Sequence, residues 1–275
     1  MCGRYTVITK LQEIEKRFNV SAPPEATDAP VANMVPGSRA PVIASNKPDA
    51  LQYFQFGLCP AWSKKRMLLI NARSEGDLNK SNDRAYRGAK GIIQKPSFRK
   101  PIRSQRCLVV ADAFIEGPEK EKLNKPYLIY HKAQERPFAF AGIWDEWADP
   151  ATGELIPGFS IITTVANSIT AAVGHHRSPV ILSRDDEQRW LDPQLALDEV
   201  TELLEPFDGR AYNAYPISSA IKSPSMQDLA ILSPVGERVF PEYEYSFSQE
   251  WGLTGMGESR ARTRKMNEGE QGSLF

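Results

Sequence analysis

Strand-length apolar runs, each closed off by turn residues, constrain the fold of this 275-residue chain more than any other feature. Cys107-Leu108-Val109-Val110, Tyr127-Leu128-Ile129-Tyr130, residues 138–144 and residues 159–164 follow one another, punctuated by Asn124-Lys125-Pro126 and Pro150-Ala151-Thr152-Gly153. Such runs are too short for amphipathic helices and too rich in β-branched and aromatic side chains for loops, so they predict a β-rich core. Pro41-Val42-Ile43 and residues 51–58 add two strands, the second alternating in polarity. Residues 3–7, Tyr215-Pro216-Ile217 and Arg238-Val239-Phe240 are predicted as shorter ones. Helices are few and peripheral. Thr9 is placed to cap one through Phe18, with Leu11, Ile14 and Phe18 on one face. Others are expected over 167–174, 185–191 and 192–204. Five prolines between positions 21 and 41 predict a loop there. The class is α+β, with one domain over 1–241 and a polar tail, 242–275, expected to be disordered.

The formal net charge is zero, so no global field draws a polyanion to the chain. The charge is nevertheless uneven. Between residues 64 and 106, thirteen Lys and Arg face three acids, a local excess of ten. That stretch suits a nucleic acid or forms a solvated basic face. Cys2, Cys59 and Cys107 are an odd, sparse set without CxxC spacing. They argue for a reducing compartment and against a disulfide framework or a structural zinc site. Early polar residues and the lack of any long apolar run predict a cytoplasmic, nucleoid-associated protein that does not enter membranes.

Four short stretches carry chemistry. Met1-Cys2-Gly3-Arg4-Tyr5 begins the chain. With Met1 removed, Cys2 holds an amine and a thiol on adjacent carbons, with reference pKa values of about 8 and 8.5. A 1,2-aminothiol condenses with an aldehyde to a Schiff base and then to a thiazolidine, which no internal cysteine can do. Cys2 is otherwise an ordinary buried thiol. Asn71-Ala72-Arg73-Ser74-Glu75 aligns an amide, a guanidinium and a carboxylate on one strand face, or is a polar strand end. In Ala111-Asp112-Ala113-Phe114-Ile115-Glu116-Gly117, a carboxylate among apolar neighbours suits a general acid or base, or is neutralised by an arginine. His175-His176-Arg177-Ser178-Pro179 offers a proton shuttle near neutral pH or a structural histidine; no matching ligands favour a metal site. Trp62 and Tyr53 are candidate stacking platforms beside the basic stretch.

Taken together and in order, these segments resemble the SOS response-associated peptidase (SRAP) family. The likeness also takes in Asn33 with Pro36-Gly37, Gly57-Leu58 with Pro60-Ala61-Trp62, Arg106-Cys107-Leu108, residues 140–144, Thr163-Thr164 with Ala166-Asn167, and Pro179-Val180-Ile181-Leu182. The resemblance implies a mostly β, barrel-like core with peripheral helices. It also implies capture of abasic sites in single-stranded DNA through a thiazolidine crosslink, with self-removal of Met1. By the same resemblance Cys2 is the nucleophile, Asn71 positions its amine, Glu116 is the catalytic acid, and His175 assists Schiff-base chemistry. Arg4, Arg73 and Arg177 are implied as DNA contacts, with Pro36, Trp62 and Thr164 beside the groove. No cofactor or metal is implied, and a monomer is expected. Where the family usually shows Asp-Gly-Phe-Tyr-Glu-Trp, this chain has Ala113, Ile115 and Gly117 at the second, fourth and sixth places. Two other readings are an N-terminal-nucleophile amidotransferase, disfavoured by the absence of an Asn-Gly pair, and a DNA-binding module without covalent chemistry.

Overall fold

The computed structural model describes residues 2–242. Among these the order is β1 (Tyr5–Val7), α1 (Leu11–Phe18), β2 (Val31–Met34), β3 (Arg39–Ala44), β4 (Leu51–Phe56), β5 (Asn71–Arg73), α2 (Pro101–Ser104), β6 (Arg106–Ala111), β7 (Ala113–Glu116), β8 (Tyr127–His131), β9 (Phe138–Ala148), β10 (Leu155–Val165), α3 (Ser168–Ala172), β11 (Arg177–Pro179), α4 (Arg184–Leu191), α5 (Leu197–Glu202) and β12 (Tyr212–Pro216). Strands β3, β4, β10, β9 and β6 close on themselves: β3 pairs with β4 and β6, β6 with β9, β9 with β10, and β10 in parallel with β4. Closure leaves these strands no free edge within the ring. The α+β class and the barrel-like core are therefore those expected.

A second, open sheet runs β12-β8-β7-β1-β2. Its alternation shows why the sequence signal was continuous rather than half polar: both faces are buried. Phe114, Ile129 and Ala214 face the barrel's core. Ala113, Ile115, Leu128 and Tyr215 face outward and are covered by Ile217, Ile221, Ile231 and Leu232. The two sheets meet through aromatic edges, with Tyr5 against Phe56 and Phe140 at 5.5 and 5.8 Å and Phe114 against Phe140 at 6.0 Å. β10 outruns the barrel, and its far half pairs with β5 in parallel and β11 antiparallel. β5, held on that overhang, reaches the start of the chain through Asn71, whose amide donates to the Cys2 carbonyl.

Several local expectations are corrected. Thr9 does not cap α1; Lys10 holds that position, while the Thr9 N–H and hydroxyl donate to Asp112 at 2.8 and 2.5 Å. Asp112 also accepts from the Ile8 N–H, so this carboxylate ties β1 to β7 and is not free for chemistry. The proline-rich stretch contains β2, which pairs with β1. Asp192 ends α4 rather than opening the next helix, and α5 is shorter than expected. Residues 238–240 form no strand; one bond from the Val239 N–H to the Ala214 carbonyl and two between Phe240 and the Asn213 side chain hold them to β12. Arg106 leaves the basic stretch altogether, buried with its guanidinium on the carbonyls of Ile102, Arg103, Trp190 and Asp192. Of the expected tail, Glu242 accepts from the Tyr130 hydroxyl at 2.8 Å, and 243–275 lie outside the described residues. No described helix is long and apolar enough to cross a membrane.

Candidate active site

Sheet pairing carries the start of the chain to Glu116. Tyr5 lies opposite Phe114 in the antiparallel β1–β7 pair, and the Ile115 N–H donates to the Arg4 carbonyl at 2.9 Å. Continuing that register sets Gly3 opposite Glu116, so Cys2 arrives beside the carboxylate. From the other sheet, Asn71 on β5 donates its Nδ2 to the Cys2 carbonyl at 3.0 Å. Its Oδ1 is buried with no partner among the described residues. Cys2 is itself 1% exposed. Burial first, and the Glu116 charge second, push its thiol well above the ordinary range. The thiol is thus protonated in the full-length chain, not poised near neutrality as the reference value suggested.

Glu116 shares its face of β7 with Phe114, turned toward the barrel. Burial pushes its carboxyl up to about 7. His175 follows α3, a helix opened by the Asn167–Thr170 capping box. Its Nδ1 lies 2.9 Å from the Gly117 carbonyl, which can only accept, so Nδ1 carries the proton. Nε2 then points its lone pair at Glu116 Oε2, 3.5 Å away. Burial lowers this imidazole to about 4. At neutral pH the pair is a half-protonated carboxyl beside a neutral imidazole, not a salt bridge. The histidine expected to titrate near neutrality does not; the glutamate does.

Gly117 matters for this pairing. A Cβ there would sit 1.9 Å from the Lys122 carbonyl oxygen, so the next segment packs on bare backbone. A cleft of about 780 Å³ opens beside the pair, lined by Arg4, Glu119, Leu123, His176 and Lys222 among others. His176 lies at the mouth, its Nδ1 3.6 Å from Glu119 Oε2.

Two residues after His175, Arg177 serves a second carboxylate. Its guanidinium grips Glu75 at 3.2 and 2.8 Å and donates to the Thr163 carbonyl at 2.9 Å. Burial alone would raise Glu75; the guanidinium outweighs it and holds the carboxyl below its ordinary value. Thr164 adds a long bond to Glu75 at 3.5 Å. Arg177 and Thr164, implied as DNA neighbours, are 2% and 1% exposed and support the wall from behind. Arg73 is half-buried on the same strand as Asn71 and donates to the Asn79 carbonyl. β5 stops at Arg73, so Glu75 reaches Arg177 from a turn rather than from the strand.

Trp62 is 61% exposed in the 60–63 turn, which the Asp145 carboxylate holds by the Ala61 N–H. Pro36 is half-buried in the turn before β3. The structure therefore gathers Cys2, Asn71, Glu116, His175 and Arg4 at one point, with Arg73 on the same edge. Sequence reading did not single out Glu75 as a site residue, nor Glu119 or His176. Glu75 had a signal, its spacing of two from Arg73; Glu119 had none, because only the fold around Gly117 brings it in. Among the described residues, no group of His, Cys, Asp or Glu could hold a metal ion.

The SOS response associated peptidase (SRAP) family model matches residues 1–224. The chain is 32% identical over 230 residues to the abasic site processing protein YoqW of Bacillus subtilis (strain 168), covering 82% of this chain and 95% of that one. It is 30% identical over 229 residues to the abasic site processing protein HMCES of Gallus gallus, covering 70% and 63%. A crystal structure of a protein from Bacteroides thetaiotaomicron superposes with a TM-score of 0.70 at 31% identity, covering 85% of this chain and all of that one.

Proposed function

The chain belongs to the SOS response-associated peptidase (SRAP) family, and from that premise we propose that it processes abasic sites by covalent capture on Cys2. The observation that carries this reading is the buried Glu116–His175 pair lying against the second residue of the chain. Hydrolysis of the Met1–Cys2 bond frees the Cys2 amine. The amide of Asn71, already on the Cys2 carbonyl, has an unpartnered Oδ1 for that amine to donate to. The amine attacks the aldehyde carbon of the ring-opened sugar and forms a carbinolamine. Loss of water, with a proton from Glu116, leaves the protonated imine. The thiol then adds to its carbon as Glu116, now ionised, takes the thiol proton; the C=N electron pair moves onto nitrogen, which keeps the proton it already carries. The balance is aldehyde plus aminothiol giving thiazolidine and one water, with no oxidant.

A group titrating near 7 both gives and takes protons at neutral pH, and here that group is Glu116. His175 stays neutral, its Nδ1 proton on the Gly117 carbonyl and its Nε2 lone pair 3.5 Å from Glu116 Oε2. The groove takes single-stranded DNA, with Arg4 and Arg73 on phosphates and Trp62 stacking on a base. Arg177 and Thr164 position β5 rather than touch DNA. The activity so read is self-processing at Met1 together with abasic-site crosslinking and lyase-like chemistry.

The test is intact mass after incubation with single-stranded DNA carrying one abasic site. We expect a protein without Met1 that gains the mass of the DNA less one water. Cys2→Ala is expected to abolish the stable adduct, whereas Cys59→Ala and Cys107→Ala keep it. An adduct on protein that retains Met1, or on Cys2→Ala without reductant, would sink the ring mechanism.

A further inference from the structure

Residues 77–89 form a loop that the proposed chemistry does not use. Its neck is pinched: a Cβ on Gly91 would meet the Glu75 carbonyl oxygen at 2.5 Å, and one on Gly76 would meet the Gly91 carbonyl carbon at 2.8 Å. Gly76 also has a φ of +58°, which side chains rarely adopt. The Ile92 N–H donates to the Ser74 carbonyl at 3.1 Å and seals the neck. Inside the loop, Asn79 and Asp83 exchange bonds at 3.0 and 2.9 Å. A loop with closed ends and its own internal bonds keeps a defined surface shape.

The loop is fastened to the reactive edge. Arg73 donates to the Asn79 carbonyl, and Arg84 Nε donates to the Ala166 carbonyl at 3.4 Å. Asn71 lies level with Ile161 on β10. Ala166 is five residues further, so Arg84 docks roughly 17 Å along the strand from Asn71 at about 3.3 Å per residue. Lys80, Arg84 and Arg87 are exposed. Of the acids nearby, Asp77 pairs with Lys95 at 2.8 Å, Glu205 with Lys90 at 2.7 Å and Asp208 with Arg210 at 3.0 Å, while Asp83, exposed in the loop itself, accepts from the Ala85 N–H at 2.9 Å. A shallow groove of about 700 Å³ separates Arg84 and Arg87 from Asn167, Ser168 and residues 205–210. Its acids are neutralised, and the three loop cations have no carboxylate of the described residues in ion-pair range.

We infer that this loop is a phosphate-gripping arm: Lys80, Arg84 and Arg87 hold the sugar–phosphate backbone of single-stranded DNA where it runs from the reactive edge along the end of β10. The inference rests on the proposal that this edge takes single-stranded DNA. Planar guanidinium groups match phosphate geometry bidentately, and a preformed loop loses little entropy on binding. The arm carries no base-reading side chain in a fixed frame, so it grips without sequence preference.

The test compares the full chain with a Lys80→Gln, Arg84→Gln, Arg87→Gln triple variant by binding to a thymidine oligonucleotide long enough to span both ends of the edge, over a salt series. Three lost phosphate contacts should reduce the slope of log affinity against log salt by about 2, at roughly 0.7 per contact for a single strand. That is about a hundredfold weaker binding at 0.1 M salt, shrinking toward parity near 1 M. A trinucleotide centred on an abasic site, too short to reach the arm, should bind both proteins alike. Equal slopes for the two proteins on the long strand would overturn the arm alone. A variant weakened equally on the trinucleotide would also overturn it, since the defect would then lie in the fold. Failure of the unaltered chain to bind any single strand would overturn the DNA reading itself.

Discussion

Two buried carboxylates, Glu116 beside Cys2 and Glu75 in the turn after β5, are served by one short segment. His175 faces Glu116, and Arg177, two residues on, grips Glu75. Both carboxylates are nearly inaccessible, at 5% and 0% exposure. Their states are opposite. Glu75 has a guanidinium at 2.8 Å that cannot lose its proton, so it is an ion pair. Glu116 has an imidazole that burial keeps neutral, so it keeps a proton of its own to near neutrality. The lesson is that burial alone does not make a reactive acid. The partner decides: a permanent cation turns a buried carboxylate into a brace, and a neutral acceptor leaves it able to trade protons.

Substitutions that swap or remove these partners test the contrast. The largest expected effect falls on chemistry. Glu116→Gln should slow single-turnover crosslinking by about 10²–10⁴-fold while the protein remains folded, the usual range for a lost general acid–base. A rate equal to that of the unaltered chain would erase the distinction between the two carboxylates.

The next effect falls on stability. Arg177→Met strands the Glu75 charge in the interior and should cost about 3–5 kcal/mol in urea unfolding. Glu75→Leu combined with Arg177→Met should recover most of that, because the remaining cost of the single variant is an uncompensated charge. A single variant as stable as the unaltered chain would show that water already reaches the pair.

The smallest and sharpest effect is pH dependence. Glu116 moves from an ordinary 4.5 up to about 7 on folding, so it destabilises the fold progressively as pH rises across that window. His175 moves from 6.5 down to about 4, so it destabilises the fold as pH falls across that one. Each swing is about 3 kcal/mol at roughly 1.4 kcal/mol per unit, and the two oppose one another. The unaltered pair should leave stability nearly level between about pH 4.5 and 6.5. Glu116→Gln should gain about 3 kcal/mol over the unaltered chain at pH 7 and lose that advantage by about pH 4.5. Urea midpoints across that range check it, and an advantage that grew on acidification would reverse the assignment.

Much of the fold was legible because strand-length apolar runs can only pair. The runs at 107–110, 127–130, 138–144 and 159–164 all became strands. Proline density misled at β2, where pairing to β1 overrode a loop composition. The Thr9 cap failed because Asp112, distant in sequence, competes for the same hydroxyl. Cys2, Asn71, Glu116 and His175 could be named together because the ordered motifs resemble the SRAP family; each local setting by itself left a structural reading open, and the fold brings the four together.

Residue types and local pattern determined which groups were available: an aminothiol precursor at Cys2, an amide at Asn71, acids at 75 and 116, and a His-His-Arg segment. They are properties of covalent structure and near neighbours, so the sequence alone carries them. Protonation states are not. Whether Glu116 or His175 titrates near neutrality depends on desolvation and on which charge lies within a few ångströms, and both are set by contacts between residues tens of positions apart. The same holds for Arg177, which as a sequence letter is an exposed cation and in the folded chain is a buried brace. Only tertiary packing excludes the water that makes those outcomes differ.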